Sequence, residues 1–326
     1  MRIGMTYDLR DDYLAAGMSE EETAEFDKIG TIEAIENAIR TAGHETVRIG
    51  NITSLVKRLA SNESWDLVFN IAEGLHGFGR EAQVPALLDA YQIPYVFSGP
   101  LVQAVTLHKG ISKHVVRDSG LPTPAFAVVN CREEIAGIDL PYPLFAKPVA
   151  EGTGKGVTAA SKITDSRMLQ TTCENLLATF KQPVLVETFL PGREFTVGIV
   201  GNSSDARSLG VLEVVLLADS EPDVYSYHNK ANFENLVEYH AVDDAEAQKA
   251  AEVALACYRA LGCNDAGRVD LRSDGNGLPN FIEINSLAGL HPEISDLSIL
   301  AGKHGVNYQQ LISSILNAAI KRLGLK

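Results

Sequence analysis

The sequence predicts an α/β fold over the first 98 residues and an α+β arrangement in the rest of the chain. Two observations lead to this prediction. Strand-like and helix-like segments alternate through residues 1–98, which is the order of a parallel sheet covered by helices. Later strand-like segments flank short glycine-rich or turn-rich stretches, as they do in hairpins. A small parallel sheet followed by hairpin-built regions is therefore expected.

Composition limits the partners that the chain can have. Its 326 residues are 45% hydrophobic and 21% charged, which is ordinary for a globular protein of two or three domains. A formal charge of −14 argues against nucleic acid as a partner. The amino terminus lacks the apolar core of a signal peptide, and no apolar run approaches the roughly 18 residues that span a bilayer. We therefore expect neither a nucleic-acid nor a membrane partner.

The cysteines and histidines show no metal-binding pattern. Four cysteines, Cys131, Cys173, Cys257 and Cys263, are scattered without CxxC spacing, which favours reduced thiols and a cytoplasmic location. Eight histidines form no HxH or HxxxH pair, so a zinc site is not expected.

The amino-terminal part is predicted to end in a ligand-binding loop. Its strands are expected at 3–6, 45–49, 67–70 and 93–97, and its helices at 24–41, 52–60 and 84–90. The glycine-rich loop 71–81 follows a strand, and parallel sheets bind ligands at the carboxyl ends of their strands. Arg80 and Glu81 in this loop fit either an exposed helix start or a substrate pocket.

The middle of the chain carries a second glycine-rich loop. Ser98-Gly99-Pro100 marks a boundary, and the next helix carries Lys109, with another helix at 115–118. Strands are expected at 126–129, around Lys147 and, returning after the loop, at 157–160. The loop reads EGTGKG, and glycines let backbone N–H groups approach phosphate oxygens. A phosphate loop and a simple hairpin turn both fit, but the spacing excludes a P-loop.

The remaining elements follow in a regular order. We expect helices at 168–179, 245–261 and 308–323, and strands at 183–190, 193–197, 211–217, 268–272 and 281–285. The Pro-Gly interruption at 191–192 suits a hinge that holds a nucleotide base against the backbone. Residues 225–242 mix loop and strand and carry His228, Lys230 and His240.

The two strands near residues 268 and 285 predict a metal site. Residues two apart share a face of a strand, so Arg268 pairs with Asp270, and Glu283 with Asn285. If Val269, Leu271, Ile282 and Ile284 face the core, the polar set converges on the other side. Two carboxylates and an amide oxygen suit Mg²⁺ that is held partly by substrate phosphates. An ordinary half-solvated hairpin is the alternative.

Taken together, these stretches resemble the ATP-grasp superfamily, and within it the D-alanine–D-alanine ligases. The resemblance covers nearly the whole chain from about residue 66 onward. It implies a three-domain ligase, with an N-terminal domain at 1–98, a central ATP-grasp subdomain at 99–187 and a C-terminal one at 188–326. ATP would lie between the last two.

The resemblance implies a role for each matched residue. The ATP contacts would be Lys109, Lys147, Glu151, Gly152, Thr153, Gly154, Gly156, Glu187, Phe189, Leu190, Glu194, Lys230 and Ile282. The magnesium ligands would be Asp270, Glu283 and Asn285, for two Mg²⁺ ions or for Mn²⁺ as a substitute. Arg268 and Thr153 would be catalytic, and His76, Gly289 and Ser295 would contact small amino-acid-like substrates. A homodimer is compatible with this resemblance.

The departures from the family pattern fall on the substrate side. The family's glycine pair and GluxxValSer segment are not recognisable, and Glu25 matches them weakly. Thr153 stands where the family has serine, and Ala231 where it has tyrosine. Three functions therefore remain open: a D-alanine–D-alanine ligase for peptidoglycan synthesis, an ATP-grasp ligase for another amino acid or amine, and a nucleotide-binding protein without turnover. The complete metal face weighs against the third.

Overall fold

The structure, a computed structural model, describes residues 1–218, 220, 229 and 233–325, with only the backbone at 233 and 234. Its strands are β1 Arg2–Tyr7, β2 Glu45–Gly50, β3 Leu67–Ile71, β4 Phe126–Val129, β5 Leu144–Pro148, β6 Lys162–Ile163, β7 Val184–Thr188, β8 Glu194–Val200, β9 Arg207–Leu216, β10 Val237–Ala241, β11 Ala266–Ser273 and β12 Pro279–Asn285. Its α-helices are α1 Arg10–Ala15, α2 Ile29–Thr41, α3 Ile52–Ala60, α4 Gln83–Ala90, α5 Pro100–Leu107, α6 Lys109–Asp118, α7 Ser166–Phe180, α8 Phe233–Leu236, α9 Ala245–Ala260, α10 Asp296–Lys303 and α11 Tyr308–Leu323.

The strands form one parallel and two antiparallel sheets. The parallel sheet has the order β2-β1-β3, and the antiparallel sheets have the orders β4-β7-β5-β6 and β10-β9-β8-β11-β12. This is the predicted α/β start followed by hairpin-built α+β regions. The proposed boundary after residue 98 falls between sheets, whereas the one after 187 cuts off the last residue of β7. The division into three domains stays a prediction.

Two elements of the amino-terminal part differ from the prediction. The second helix begins at Ile29 rather than at 24, because Asp27 is held in an extended bridge with Leu9. Residues 93–97 do not form a strand. They make a single bridge between Val68 and Tyr95, supported by a hydrogen bond from Val96 N to Val68 O of 2.9 Å.

The strand predicted at 157–160 is also absent. Thr158 instead caps a short 3₁₀ turn at Ala159–Ser161, because its hydroxyl accepts a hydrogen bond from Ala160 N. The chain returns two residues later as β6, which pairs antiparallel with Leu144 and Phe145. The helix expected to carry Lys109 and the helix expected at 115–118 are also divided differently. The first helix, α5, ends at Leu107, and after a break at His108 the second, α6, runs from Lys109 to Asp118.

A bulge in the β11–β12 pair sets which side chains face the core. Asp270 lies opposite Glu283, but Leu271 lies opposite Phe281, so Ile282 is the extra residue. Val269, Leu271 and Ile284 are buried as predicted, and Phe281 joins them. The expectation that Ile282 faces the core is wrong, because the bulge turns this residue toward a cavity.

One hydrophobic core joins distant parts of the sequence. This cluster combines Ile3 and Phe69 of the parallel sheet with Ile35 of α2 and with Leu311 and Ile315 of α11. The last helix therefore completes the core beneath the first sheet. In the ranges that the structure describes, no helix is both long enough and apolar enough to cross a membrane.

Candidate active site

A cavity of about 770 Å³ is lined by both antiparallel sheets and by the amino-terminal part. It brings together most of the residues that the sequence singled out. These are Lys109, Lys147, Glu151, Gly152, Thr153, Gly154, Glu187, Phe189, Leu190, Glu194, Arg268, Asp270, Ile282, Glu283, Asn285, Gly289 and Ser295.

Two predicted residues that the structure describes are not part of this lining. His76 is exposed on the loop after β3, where its carbonyl accepts a hydrogen bond from Gln83. Gly156, the last residue of the glycine-rich loop, packs against Pro148 and Phe180. An added Cβ there would lie 2.6 Å from Pro148 Cγ and 2.9 Å from Phe180. Substrate contact at His76 and ATP contact at Gly156 are therefore not supported by position. Lys230, like His228, lies outside the described residues.

The β11–β12 pair presents Asp270 and Glu283 side by side. Asp270 accepts two hydrogen bonds of 2.9 Å from Arg268, one of 2.7 Å from Thr196 Oγ1 and one of 3.2 Å from Asn285 Nδ2. Because the bulge lies beyond this pair, the two carboxylates stay in register. Thr196 comes from β8, so the hairpin pattern alone could not reveal it.

The oxygens on this face fit a magnesium ion that has further donors. Asp270, Glu283 and the Asn285 side chain offer hard oxygen ligands. Within the described ranges, no three His, Cys, Asp or Glu residues come together as a metal-holding group. The set therefore needs additional oxygens, which phosphate groups in the cavity would supply.

Arg268 is held between two carboxylates. Its guanidinium makes ion pairs of 2.9 Å with Asp270 and with Asp296, and Asp296 also accepts a hydrogen bond from Tyr239. Burial acts to lower the pKa of Arg268, but these carboxylates outweigh burial and raise it well above its usual value. The arginine is a fixed cation. Asp296 opens α10, a helix that the sequence analysis did not anticipate.

Lysines balance the acids across the cavity. Lys147 Nζ lies 3.4 Å from both Glu187 and Glu283, and Lys109 Nζ lies 3.6 Å from Glu283. Lys113, which the sequence analysis missed, lies behind them, 2.6 Å from Glu187. Burial lowers the pKa of Lys113 to about 8, although Glu187 opposes this shift. Lys109 and Lys147 thus bring positive charge next to the predicted metal face.

Residues 187–190, the end of β7 and the two residues after it, form one wall of the cavity and are called the strap. Phe189 N donates to Pro143 O over 3.0 Å, and the Phe189 ring lies 5.0 Å from the Arg272 guanidinium carbon. Arg272 in turn lies 3.3 Å from Glu194. Burial raises the pKa of Glu194 in spite of Arg272. The predicted hinge therefore lies at the cavity edge with an aromatic ring and an acid.

The glycine-rich loop is held by an acid from the amino-terminal part. Glu25 accepts a hydrogen bond of 2.5 Å from Gly152 N and lies 3.3 Å from Lys155 Nζ. Thr153 adopts a left-handed φ of 52°, and its hydroxyl donates to Gly152 O. Burial acts to raise the pKa of Glu25, but Arg80 and Lys155 outweigh it and lower the pKa.

One end of the cavity is acidic. Glu73 and Glu81 both line it, and burial raises the pKa of each, that of Glu81 to about 7. Of the two alternatives for Glu81, the cavity is the observed one. Gly289, which also lines the cavity, packs against Ser295, because an added Cβ at 289 would lie 2.9 Å from Ser295 Oγ. The Ser295 hydroxyl accepts a hydrogen bond from His291 N.

The fold and the cavity define the class of ATP-grasp ligases, which use ATP to form C–N bonds. The family described as D-ala D-ala ligase C-terminus matches residues 115–317. The D-alanine–D-alanine ligase of Bordetella avium is 33% identical over 76% of this chain and 77% of its own. An uncharacterized protein of Sinorhizobium fredii, y4sG, is 31% identical over 89% and 87% of the two chains.

Solved structures agree with the fold. The crystal structure of D-alanine–D-alanine ligase from Bacillus anthracis complexed with ATP superposes with a TM-score of 0.72, covering 99% of this chain and 98% of that one, at 22% identity. This chain belongs to the D-alanine–D-alanine ligase family.

Proposed function

We propose that this protein is a carboxylate–amine ligase that activates one amino-acid-like substrate as an acyl phosphate and joins it to the amine of a second. One observation carries the proposal. Arg268, Asp270, Glu283 and Asn285 converge with Lys109 and Lys147 in a single cavity. A carboxylate is a poor acylating agent, and phosphorylation converts one of its oxygens into a leaving group.

The residues of the cavity have separate tasks in this reaction. ATP supplies the phosphoryl group; Asp270, Glu283 and Asn285 would hold Mg²⁺, which would neutralise the charge of the phosphates. Lys109 and Lys147 orient the phosphates, since phosphoryl transfer depends mainly on positioning and electrostatics. Arg268 stabilises the oxyanion that forms when the amine attacks the acyl phosphate.

The nucleotide site follows from the remaining lining residues. We assign the base to the strap of Glu187, Phe189 and Leu190, with Ile282 beneath it, and the ribose to Glu194. The phosphates are assigned to the loop residues Glu151, Gly152, Thr153 and Gly154. Lys230 remains a proposed phosphate contact. We place the reaction in the cytoplasm, and a homodimer remains a prediction.

The first candidate for the reaction is D-alanine–D-alanine ligation for peptidoglycan, because relatives of that name share the fold and sequence. The second candidate is ligation of a different amino acid or amine. The acidic end of the cavity favours it, because Glu73 and Glu81 line the cavity there while His76 does not. Ser295 and Gly289 are proposed as substrate contacts in either case.

A substrate panel separates the two candidates. The protein is incubated with ATP, Mg²⁺ and sets of D- and L-amino acids, and both phosphate and ligated product are measured. Product from D-alanine alone supports the first candidate. No product from D-alanine, together with product from another amino acid, supports the second. Tight ATP binding without turnover of any substrate would contradict the ligase proposal.

A variant tests the assignment of the metal face. Asp270→Asn should abolish turnover, because it removes one negative charge from the metal face and from the ion pair with Arg268. Thermal unfolding should still be cooperative, which shows that the fold persists. A variant that keeps full activity would rule out the proposed metal face.

A further inference from the structure

Arg80 links the loop after β3 to the glycine-rich loop. Its side chain is buried, and its guanidinium reaches two partners at once. Nη1 donates to Ala150 O over 2.8 Å, and Nη2 donates to Glu25 over 3.0 Å. Ala150 immediately precedes the glycine-rich loop 151–156, and Glu25 holds the amide of Gly152. One arginine therefore fixes the entry of the loop both directly and through Glu25.

The loop entry is also fixed from the opposite side. Gln182, which precedes β7, accepts a hydrogen bond of 2.8 Å from Ala150 N and donates one of 2.7 Å to Glu151. The N–H of Ala150 is thus held by Gln182 and its carbonyl by Arg80. Gln182 lies next to the central sheet, whereas Arg80 and Glu25 tie the loop entry to the amino-terminal part.

The position of Arg80 is set by its own backbone. Gly74 has a φ of +72°, and a Cβ added there would lie 2.5 Å from Arg80 O, so these two backbone segments touch. Gly74 N donates to Asp8 over 2.9 Å, which fixes the segment to the end of β1. Glu73 and Glu81, the neighbours of Gly74 and Arg80, line the acidic end of the cavity.

We propose that Arg80 is a positioning residue that couples the substrate end of the cavity to the glycine-rich loop that covers the ATP phosphates. This inference rests on the proposed function. A substrate that contacts the Glu73–Glu81 segment shifts or steadies the backbone of Arg80. Because the guanidinium is hydrogen-bonded to Ala150 and Glu25, the change in position reaches these two residues. The planar fork of arginine can hold both partners simultaneously, whereas a lysine ammonium cannot reproduce that geometry.

The loss of Arg80 has a defined consequence. The Ala150 carbonyl loses its partner, and Glu25 keeps only Lys155 and the Gly152 amide. The loop then covers the phosphates less closely. A misplacement of about 1 Å costs about 10²-fold in rate, so phosphoryl transfer should slow by that order. Water also gains access, so more phosphate is released than product is formed.

The experiment compares Arg80→Met and Arg80→Lys with two controls. Gln182→Ala loosens the same loop from the central side. Arg40→Met removes an exposed arginine of α2, which pairs with Glu36 of the same helix and is 40 residues from Arg80 in the sequence. For each variant, kcat, the KM of ATP, the KM of the first substrate and the ratio of phosphate to product are measured. The affinity for a non-hydrolysable ATP analogue is measured by calorimetry.

Arg80→Met is expected to raise both KM values about tenfold, to lower kcat about 10²-fold and to raise the phosphate-to-product ratio above one. Arg80→Lys should show the same pattern at smaller amplitude. Gln182→Ala should raise only the KM of ATP, and Arg40→Met should match the unchanged protein.

Two results would overturn the inference. One is a fall in kcat in Arg80→Met while both KM values and the phosphate-to-product ratio stay unchanged, because this would mean only that a smaller fraction of the protein is active. The other is equal behaviour of Arg80→Lys and the unchanged protein. If the unchanged protein turns over no substrate, the proposed function fails. The calorimetric comparison still tests Arg80, because unaltered analogue affinity in Arg80→Met would then refute the loop contact.

Discussion

At Arg268, one guanidinium pairs with the half-buried Asp270 and the buried Asp296 and faces the cavity, so its geometry matters as much as its charge. We expect Arg268→Lys to lower the rate of product formation by about 10²-fold or more, because a lysine cannot hold Asp270 and Asp296 in the same arrangement. Single-turnover measurements of product and phosphate test this. Cooperative thermal unfolding is the control, and a variant with the full rate would remove Arg268 from the mechanism.

Glu81 should make the stability of the protein depend on pH. Burial raises the pKa of Glu81 to about 7, with Glu25 adding to the shift and Arg80 and Lys109 opposing it. A carboxyl with a raised folded pKa binds its proton more tightly in the native state. The contribution of Glu81 to stability is therefore complete below about pH 4.5, the pKa of the unfolded state, and is lost as pH rises through about 7, the pKa of the folded state.

Glu81→Gln should remove this dependence. The variant is expected to be more stable than the unchanged protein at pH 8, and the difference should shrink toward pH 5. Urea unfolding at pH 5, 6.5 and 8 measures both free energies. A difference that grows toward low pH would reverse the assigned sign. Glu73, which remains in the variant, leaves a residual slope of the same sign.

Single residues were predictable where they share one strand pair. The alternation in two strands was enough to place Arg268, Asp270, Glu283 and Asn285 together, because period-two spacing is a local property. Thr196, Asp296 and Lys113 were missed, because each comes from a different element and meets the site only through tertiary packing. Arg80 was noticed, but its contact with Ala150 spans 70 residues and leaves no local pattern.

At the scale of elements, Gly156 shows how a loop depends on its neighbours. We expect Gly156→Ala to cost more than about 1 kcal/mol of unfolding free energy, because its φ is +76° and the added Cβ would meet Pro148 and Phe180. Gly17→Ala is the matched control, since Gly17 has a φ of +96° but nothing within 4 Å of the added atom. Urea unfolding compares them, and equal losses would mean that backbone strain alone acts at 156.

Elements were predicted best where a hydrophobic period was long. Helices 52–60 and 308–323 have the predicted bounds, since their apolar faces repeat over several turns. The strand expected at 93–97 was apolar enough, yet it pairs with its neighbour at only one bridge. The bulge at Ile282 was not predicted either, although Phe281 and Ile282 are consecutive apolar residues and break the alternation at that point.

At the scale of the whole molecule, one ion pair ties three distant segments. Arg322 in α11 lies 2.7 Å from Asp265 and donates to Tyr95 O and Phe97 O, and Asp265 also accepts a hydrogen bond from Phe97 N. Asp265 is completely buried, and Arg322 is its cationic partner. The pair joins the start of β11, the segment before α5 and the last helix.

Removing Arg322 should therefore be costly. We expect Arg322→Met to destabilise the protein by about 3–5 kcal/mol, because it leaves a buried carboxylate without its cation. Lys321→Met is the control, since the neighbouring Lys321 pairs with Asp205 at the exposed surface, where solvent screens the interaction, and its loss should be much smaller. Guanidinium unfolding of both variants gives the comparison, and similar losses would contradict the role of the buried pair.

The packing of the last helix beneath the first sheet has a consequence for how the protein is made. A ribosome finishes the opening strands long before it adds Leu311 and Ile315, the residues that cover Ile3, Phe69 and their neighbours. Until α11 emerges from the ribosome, the polypeptide carries an apolar surface that this helix does not yet shield, a condition that favours aggregation and chaperone binding. The earliest part of the chain can thus reach its native state only after α11 has been made.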